Sequence, residues 1–422
     1  MTDPVSFFRD VASRHPRCFW LDGGGAREWS GRRSIIGWLD EDDPSLSWSA
    51  ARREVTLHVG GTSRVVGDDV FAVLEERISA GEQWFGYLGY ASRTDLPAAP
   101  DPFLPDAVWM RPREVRVFEH AVAASGDSPL ERGVRHLEGV ATASECQTPP
   151  PSAYAEAFAR VQEHLHAGNS YEVNLTHRLT RTADLDPVAA YLRLRELNPA
   201  PYSGFLQHDV AGARAWLLSS SPERYALVTA DRHLETKPIK GTTPRGRTPE
   251  EDEAHRERLA REPKTRAENL MIVDLLRNDL SLVCEVGSVE VPALMQVETY
   301  ESVHQLVSTV RGCLRDDVST MAALRALFPA GSMTGAPKLR TMEVIEEVEA
   351  TPRGAYAGAF GWISGDGPAD LGVVIRSLMT DGSGTWVLGT GGGITVKSDV
   401  AEEWAESEWK AERLLRVFDP PR

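Results

Sequence analysis

Two stretches of the 422-residue chain carry carboxylates at spacings that could hold a cation. In Arg266-Ala267-Glu268-Asn269-Leu270-Met271-Ile272-Val273-Asp274-Leu275-Leu276-Arg277, apolar residues occupy most of the helical circumference. Such a helix should be buried, and Glu268 on it needs a partner, because an unpaired buried charge is costly. In Glu402-Glu403-Trp404-Ala405-Glu406-Ser407-Glu408-Trp409-Lys410, Glu403 and Glu406 stand three apart and share a face. Three carboxylates converging from two helices would suit Mg²⁺, which takes oxygen ligands and keeps waters that a substrate can replace. The plainer alternative is a solvated acidic helix with Glu406 and Lys410 as an i, i+4 pair.

Three glycine-containing loops could bind an anion or simply turn the chain: residues 331–338, 389–393 and 240–246. The first leads through Pro337 into an expected helix, whose N-terminal amides could cradle a carboxylate. None has the Gly-Lys-Ser/Thr ending of a nucleotide loop. Lys240 sits between apolar Ile239 and Gly241, and becomes a nucleophile only if burial or nearby cations lower its pKa. Glu223, in Ser221-Pro222-Glu223-Arg224, could equally form a surface ion pair.

The elements that must position these groups read as α+β. Short alternating or aromatic runs at 19–22, 55–59 and 84–90 predict strands in the N-terminal third. The aromatics and glycines of 84–90 suggest a strand closely approached by another backbone. A linker is expected at 139–152, around Thr-Pro-Pro-Pro. Tyr154, Phe158, Val161 and Leu165 then predict an amphipathic helix, ending near Gly168-Asn169. Strands follow at 171–179, 215–218 and 225–229, and helices at 263–278, 319–327, 338–348 and 399–416. Clustered strands with little βαβ alternation favour α+β over a doubly wound sheet.

Hydrophobic residues make up 41%, enough for a sizeable core. The formal net charge of −16 argues against sequence-independent nucleic-acid binding, which relies on basic patches. It leaves room for an anionic small substrate in a locally positive pocket. No apolar run approaches the roughly 20 residues of a membrane span, and the N-terminus lacks the layout of a signal peptide. No membrane association is expected, and the cytoplasm is the expected compartment. Cys18, Cys146, Cys284 and Cys313 lie far apart and are expected to be reduced and incidental.

Taken in order, Ser221-Pro222-Glu223-Arg224, Pro238-Ile239-Lys240-Gly241-Thr242, the 268–279 helix, Val303-His304-Gln305-Leu306-Val307-Ser308, 331–338, Ile375-Arg376-Ser377 and 391–406 resemble the chorismate-utilising enzymes. That family comprises anthranilate, aminodeoxychorismate, isochorismate and salicylate synthases. The resemblance covers a catalytic region at about 150–417, with a weaker likeness across an N-terminal region, 1–140. This boundary divides motifs, and both regions would contribute to one core. Isochorismate and salicylate synthases resemble the chain but place a water-activating lysine where Glu172 stands. Anthranilate synthases typically have alanine where Lys240 stands, whereas Pro-Ile-Lys-Gly-Thr resembles the aminodeoxychorismate synthases.

The resemblance implies two large, mostly antiparallel sheets flanked by helices, with the site in a cleft. It implies Mg²⁺ held by Glu268 and Glu406 with Glu403 beside them, Lys240 as covalent nucleophile, and Glu223 as general acid. His304 would act near the ring. Tyr356, Arg376 and the Gly391-Gly392-Gly393 backbone would grip a carboxylate of chorismate, with Thr242, Thr334, Gly335, Ala336 and Lys338 as further substrate contacts. Nothing resembles a glutaminase with its Cys-His pair, so ammonia is expected from a separate glutaminase subunit, and no fused lyase is expected after the Glu406 helix. The product would serve para-aminobenzoate formation, for folate or an antibiotic. The alternatives are anthranilate synthase component I and a non-catalytic chorismate-binding regulatory subunit. The sequence departs from the family at Thr265, usually acidic, at Glu172, usually Gln, and at Asp370-Leu371-Gly372.

Overall fold

The strands Glu172–Thr182 and Thr385–Ile394 pair antiparallel along ten consecutive positions and form the spine of one of two sheets. The computed structural model in which they are seen describes residues 3–23, 33–120, 149–300 and 303–420. Most of the expected linker, together with Cys146, lies outside the described residues; Cys18, Cys284 and Cys313 are free thiols.

The spine sheet has nine strands among the described residues. Their order is Gly335–Ala336, Glu172–Thr182, Thr385–Ile394, Ser377–Thr380, Ala215–Ser221, Tyr202–His208, Arg17–Asp22, Arg33–Trp38 and Val115–Glu119. The second sheet has twelve. It runs from Ile239–Pro244 through Val303–Cys313, His233–Lys237, Arg224–Val228 and Ala369–Val373 to Ala359–Ser364 and the N-terminal strands. Pairings within both are antiparallel, so the α+β class holds. Strands from before and after residue 150 share both sheets.

The core lies between the sheets. Phe19 of the first stacks on Phe85 of the second, with ring centroids 4.1 Å apart, and Trp48, Trp109, Leu206, Leu217 and Leu371 fill the same layer. Phe19 and its neighbour Trp20 point to opposite faces, yet both are fully buried. On the outer face, helices Pro4–Arg14, Pro187–Leu197 and Val400–Leu415 cover Trp20 with Phe8, Tyr191 and Leu414. The close approach expected at 84–90 is present: a side chain at Gly86 would meet the Val108 carbonyl at 2.0 Å.

The predicted helices appear as Ser152–His166, Pro263–Ser281, Thr320–Leu327, Lys338–Val348 and Val400–Leu415. Four more were not anticipated: Pro4–Arg14, Val70–Arg77, Pro187–Leu197 and Pro249–Arg261. Their caps are nonetheless written in the sequence, since Asp3, Asp69, Asp186 and Thr248 each accept a first-turn amide. The last escapes a periodicity search because Leu259 is its one buried residue.

Two expectations need correction. The Glu268 helix is not buried all round: Ile272, Val273, Leu275, Leu276 and Leu280 face the core, while Leu270 is 54% exposed. Residues 389–393 and 240–244 are not loops but lie in the strands Thr385–Ile394 and Ile239–Pro244. In 389–393 glycine serves for close approach, whereas Gly241, at φ +80°, also accommodates the shift of register between Ile239 and Thr242.

Arg353 ties the segments around residue 333 to the spine. Its fully buried guanidinium donates to Glu349 at 2.7 and 2.9 Å, to the Met333 carbonyl at 2.5 Å and to the Asn174 carbonyl at 2.8 Å. Removing one partner of a buried pair strands the other charge. Arg353→Met should therefore cost about 3–5 kcal/mol, read as a lower midpoint in urea unfolding; a loss below about 1 kcal/mol would rule out this tie.

Candidate active site

A cavity of about 430 Å³ is lined by residues from both sheets. The strand Thr385–Ile394 gives it a backbone wall, the strand Ile239–Pro244 faces that wall, and the helices that start at Pro263 and Val400 close its sides. Of the residues singled out from sequence, Glu223, Lys240, Thr242, Glu268, Tyr356, Arg376, Gly391, Gly392, Gly393 and Glu406 line it.

Lys240 is 8% exposed, and its ammonium hydrogen-bonds the Glu172 carboxylate, itself buried at the start of the spine strand. The pair rests on bare backbone. A side chain at Gly393 would lie 2.2 Å from Glu172 Oε1 and 3.1 Å from Lys240 Nζ. Burial alone would lower the Lys240 pKa, but the carboxylates of Glu172, Glu268 and Glu223 outweigh it and hold the pKa above its ordinary value. The sequence argument required the reverse, a lowered pKa. It missed that the cations lie elsewhere and that carboxylates surround this lysine.

Glu223 is buried at the end of the strand that carries Ser221, and accepts a 2.5 Å hydrogen bond from Ser332 Oγ. Burial pushes its pKa up to about 7, against the opposing pull of Ser332, Lys240 and Lys410. Ser332, which sequence reasoning passed over within 331–338, thus serves to hold this carboxyl group.

Glu268 is half-buried one helical turn beyond Thr265, and among the described residues no ion pair neutralises it. Burial, with Glu172 and Glu403 nearby, pushes its pKa up to about 7 despite Lys240 and Lys264. Glu403 lies behind the glycine wall, buried, with Lys264 Nζ 2.7 Å from its Oε1. Glu406, 48% exposed at the cavity, pairs at 2.7 Å with Lys410, whose Nζ also reaches the Gly391 carbonyl at 2.8 Å. The i, i+4 pairing and the cavity position therefore hold together. Lys264 was missed, although it stands one turn before Glu268. Among the described residues no three His, Cys, Asp or Glu side chains converge closely enough to hold a metal ion.

Tyr356 packs its ring on Gly389, where a side chain would meet the ring at 2.3 Å. Arg376 has a φ of +50°, a left-handed conformation that costs a non-glycine residue about 1–3 kcal/mol. Its guanidinium lies 5.8 Å from the Trp409 ring centroid. Burial and the nearby Arg413 lower its pKa to about 10. A desolvated guanidinium repelled by a second one favours an anion.

Four groups of expected contacts do not reach the cavity wall. His304 is buried between Asp252 Oδ1 and Thr299 Oγ1, each at 2.9 Å. Lys338 is committed to Asp279 at 2.7 Å and to the Leu327 carbonyl at 2.8 Å. Thr334 turns its hydroxyl to the Gly331 carbonyl, and Gly335 and Ala336 pair with Val173 and Glu172.

The model of the chorismate binding enzyme family matches residues 17–416. The chain is 39% identical to aminodeoxychorismate synthase of Streptomyces griseus, over 96% of this chain and 61% of that protein. It is 44% identical to aminodeoxychorismate synthase component 1 of Escherichia coli K12, over 63% of this chain and 57% of that one. The chain thus spans less than two thirds of the length of either relative. Among solved structures it resembles anthranilate synthase component I from Streptococcus pneumoniae, with a TM-score of 0.71 at 25% identity, covering 91% of this chain and 92% of that one. On this match over nearly its whole length, the chain belongs to the chorismate-binding enzyme family.

Proposed function

We propose that the chain is the chorismate-aminating part of an aminodeoxychorismate synthase. It would replace the ring hydroxyl of chorismate by an amino group, using ammonia from a separate glutaminase subunit, for para-aminobenzoate in folate or antibiotic formation. The observation that carries this reading is Lys240, turned into the cavity within the electrostatic reach of the buried carboxyl of Glu223. Lys240 is also the residue that disfavours anthranilate synthase component I. The presence of Glu223, Glu268, Glu403 and Glu406 around it disfavours a non-catalytic subunit.

In this reading the Lys240 amine attacks a ring carbon two positions from the leaving hydroxyl, while Glu223 donates the proton with which that hydroxyl departs as water. A pKa near 7 suits Glu223 to this, because half of it is protonated at neutral pH. Ammonia then bonds to the vacated carbon and Lys240 departs as the amine, so one hard substitution becomes two easier ones. Arg376 and Tyr356 grip a substrate carboxylate beside the Gly391-Gly392-Gly393 wall.

The residues present fit Mg²⁺. Mg²⁺ can be held by one or two carboxylates with water, and Glu268 and Glu406 offer carboxylate oxygens to the same cavity, although among the described residues no third side chain converges with them. Glu268 and Glu406 would hold the ion with Glu403 behind them, water completing the shell. When bound, it would bind the ring carboxylate and withdraw charge from the ring.

Three outcomes test the reading. With chorismate but no ammonia, mass spectrometry should find an adduct on the Lys240 peptide. Lys240→Ala and Lys240→Arg should both lose it, since arginine keeps the charge without a lone pair. An arginine variant as active as the parent would return the reading to direct amination. Second, kcat/KM for chorismate, at fixed free ammonia, should fall above about pH 7 as Glu223 ionises; a flat profile from pH 6 to 9 would remove Glu223 as the acid. Third, activity should vanish in excess chelator, and Glu268→Gln should lose at least about 100-fold. A chelator-resistant parent enzyme would exclude the metal.

A further inference from the structure

The lysine mechanism leaves one proton without a destination. An ammonium group has no lone pair, and the surrounding carboxylates keep Lys240 in that form. The charged groups that face it are Glu172, Glu223 and Glu268, with Glu406 and its partner Lys410 further along the wall. Glu223 must hold a proton of its own for the leaving hydroxyl. Glu268 stands with Lys264 and Glu403 on the proposed metal side.

Glu172 differs from both in geometry. Its Oε1 already accepts the hydrogen bond from Lys240 Nζ, while its Oε2 is buried without a hydrogen-bond partner among the described residues. The carboxylate is 1% exposed, shut off from bulk water. Its backbone is locked: Glu172 pairs with Ala336, its carbonyl accepts from Ser170 Oγ at 2.7 Å, and at Gly335, with φ +143°, a side chain would meet that carbonyl at 1.9 Å. Gly335 and Ala336 thus act on the site without touching the cavity, by fixing the strand end that aims Glu172. A carboxylate so placed can take a proton and return it with no exchange with solvent.

We propose that Glu172 is the internal proton acceptor that turns Lys240 into a free amine, a positioning residue acting through the lysine; this rests on the reading of Lys240 as nucleophile. The Lys240 ammonium passes one proton to Glu172, and its lone pair forms the nitrogen–carbon bond. The ring carbon–oxygen bond breaks with its electron pair, and the departing oxygen takes the Glu223 proton to leave as water. When ammonia bonds to the vacated carbon, the bond to Lys240 breaks and its electrons return to nitrogen. The freed amine recovers its proton from Glu172, and the new ammonium substituent returns one to Glu223. The sum is chorismate plus ammonia giving the amino product plus water.

The test follows the adduct on the Lys240 peptide over time, with chorismate and no ammonia, from pH 6 to 9. The parent should form it at a rate that does not depend on free lysine in solution equilibrium, changing only with Glu223. Glu172→Gln keeps the size and a hydrogen-bonding oxygen but cannot take the proton. Its rate should climb with pH relative to the parent, because the amine must then be freed by loss of a proton to solvent, even though removing the Glu172 charge lets burial lower the Lys240 pKa. Glu172→Asp should keep the parental pH profile at a reduced rate, which a merely structural role would not produce. A Glu172→Gln enzyme with the parental pH profile, or an aspartate variant with the glutamine profile, overturns the proposal. A parent that aminates chorismate without forming any adduct fails at the earlier step, and with it falls the covalent reading itself.

Discussion

The site depends on one close approach, that of a buried carboxylate–ammonium pair to the glycine run of a strand. At Gly393 any Cβ would overlap Glu172 and crowd Lys240, and at Gly389 it would strike the Tyr356 ring. The glycine run 391–393 of the strand Thr385–Ile394 can stay extended without side-chain packing because it pairs with Thr176, Leu175 and Asn174 of Glu172–Thr182. Backbone hydrogen bonds there replace the packing that glycine cannot supply. The same pairing sets the register of Glu172, so the wall and the charged pair that rests on it are built by one ladder.

Around that wall the charges pair off incompletely. Glu172 takes Lys240, Glu403 takes Lys264, and Glu406 takes Lys410. Among the described residues Glu223 and Glu268 form no ion pair, and these two carboxyl groups have pKa values raised to about 7. At both, desolvation outweighs the opposing pull of Lys240. Arg376 is left over on the other side of the balance, held in a left-handed conformation near Arg413. The chain's overall excess of negative charge hides this local arrangement.

Local chemistry in the sequence was informative where a residue acts on its near neighbours. The helix at Ser152–His166 follows from Tyr154, Phe158, Val161 and Leu165, and Glu406 with Lys410 from their spacing. It misled where glycine has two uses. The runs at 240–244 and 389–393 read as loops, because a turn and a close approach call for the same residue, and only the opposing strand distinguishes them. The Pro249–Arg261 helix, with one buried residue, had no periodicity to reveal it, although its Thr248 cap did.

By itself the sequence determined the motifs, their order and so the family, along with an α+β chain that places Lys240, Glu223 and Glu268 in separate segments. Those residues are far apart in the chain, and side-chain type is legible at any distance. What only the tertiary structure decided is which groups meet. It sent His304 to Asp252 and Lys338 to Asp279, away from the cavity, and gave Lys240 a carboxylate partner 68 positions earlier in the chain. The sign of the Lys240 pKa shift followed from that placement, because a pKa records the charges brought within a few ångströms. Such distances are set by the pairing of strands remote in sequence, and no local pattern encodes them.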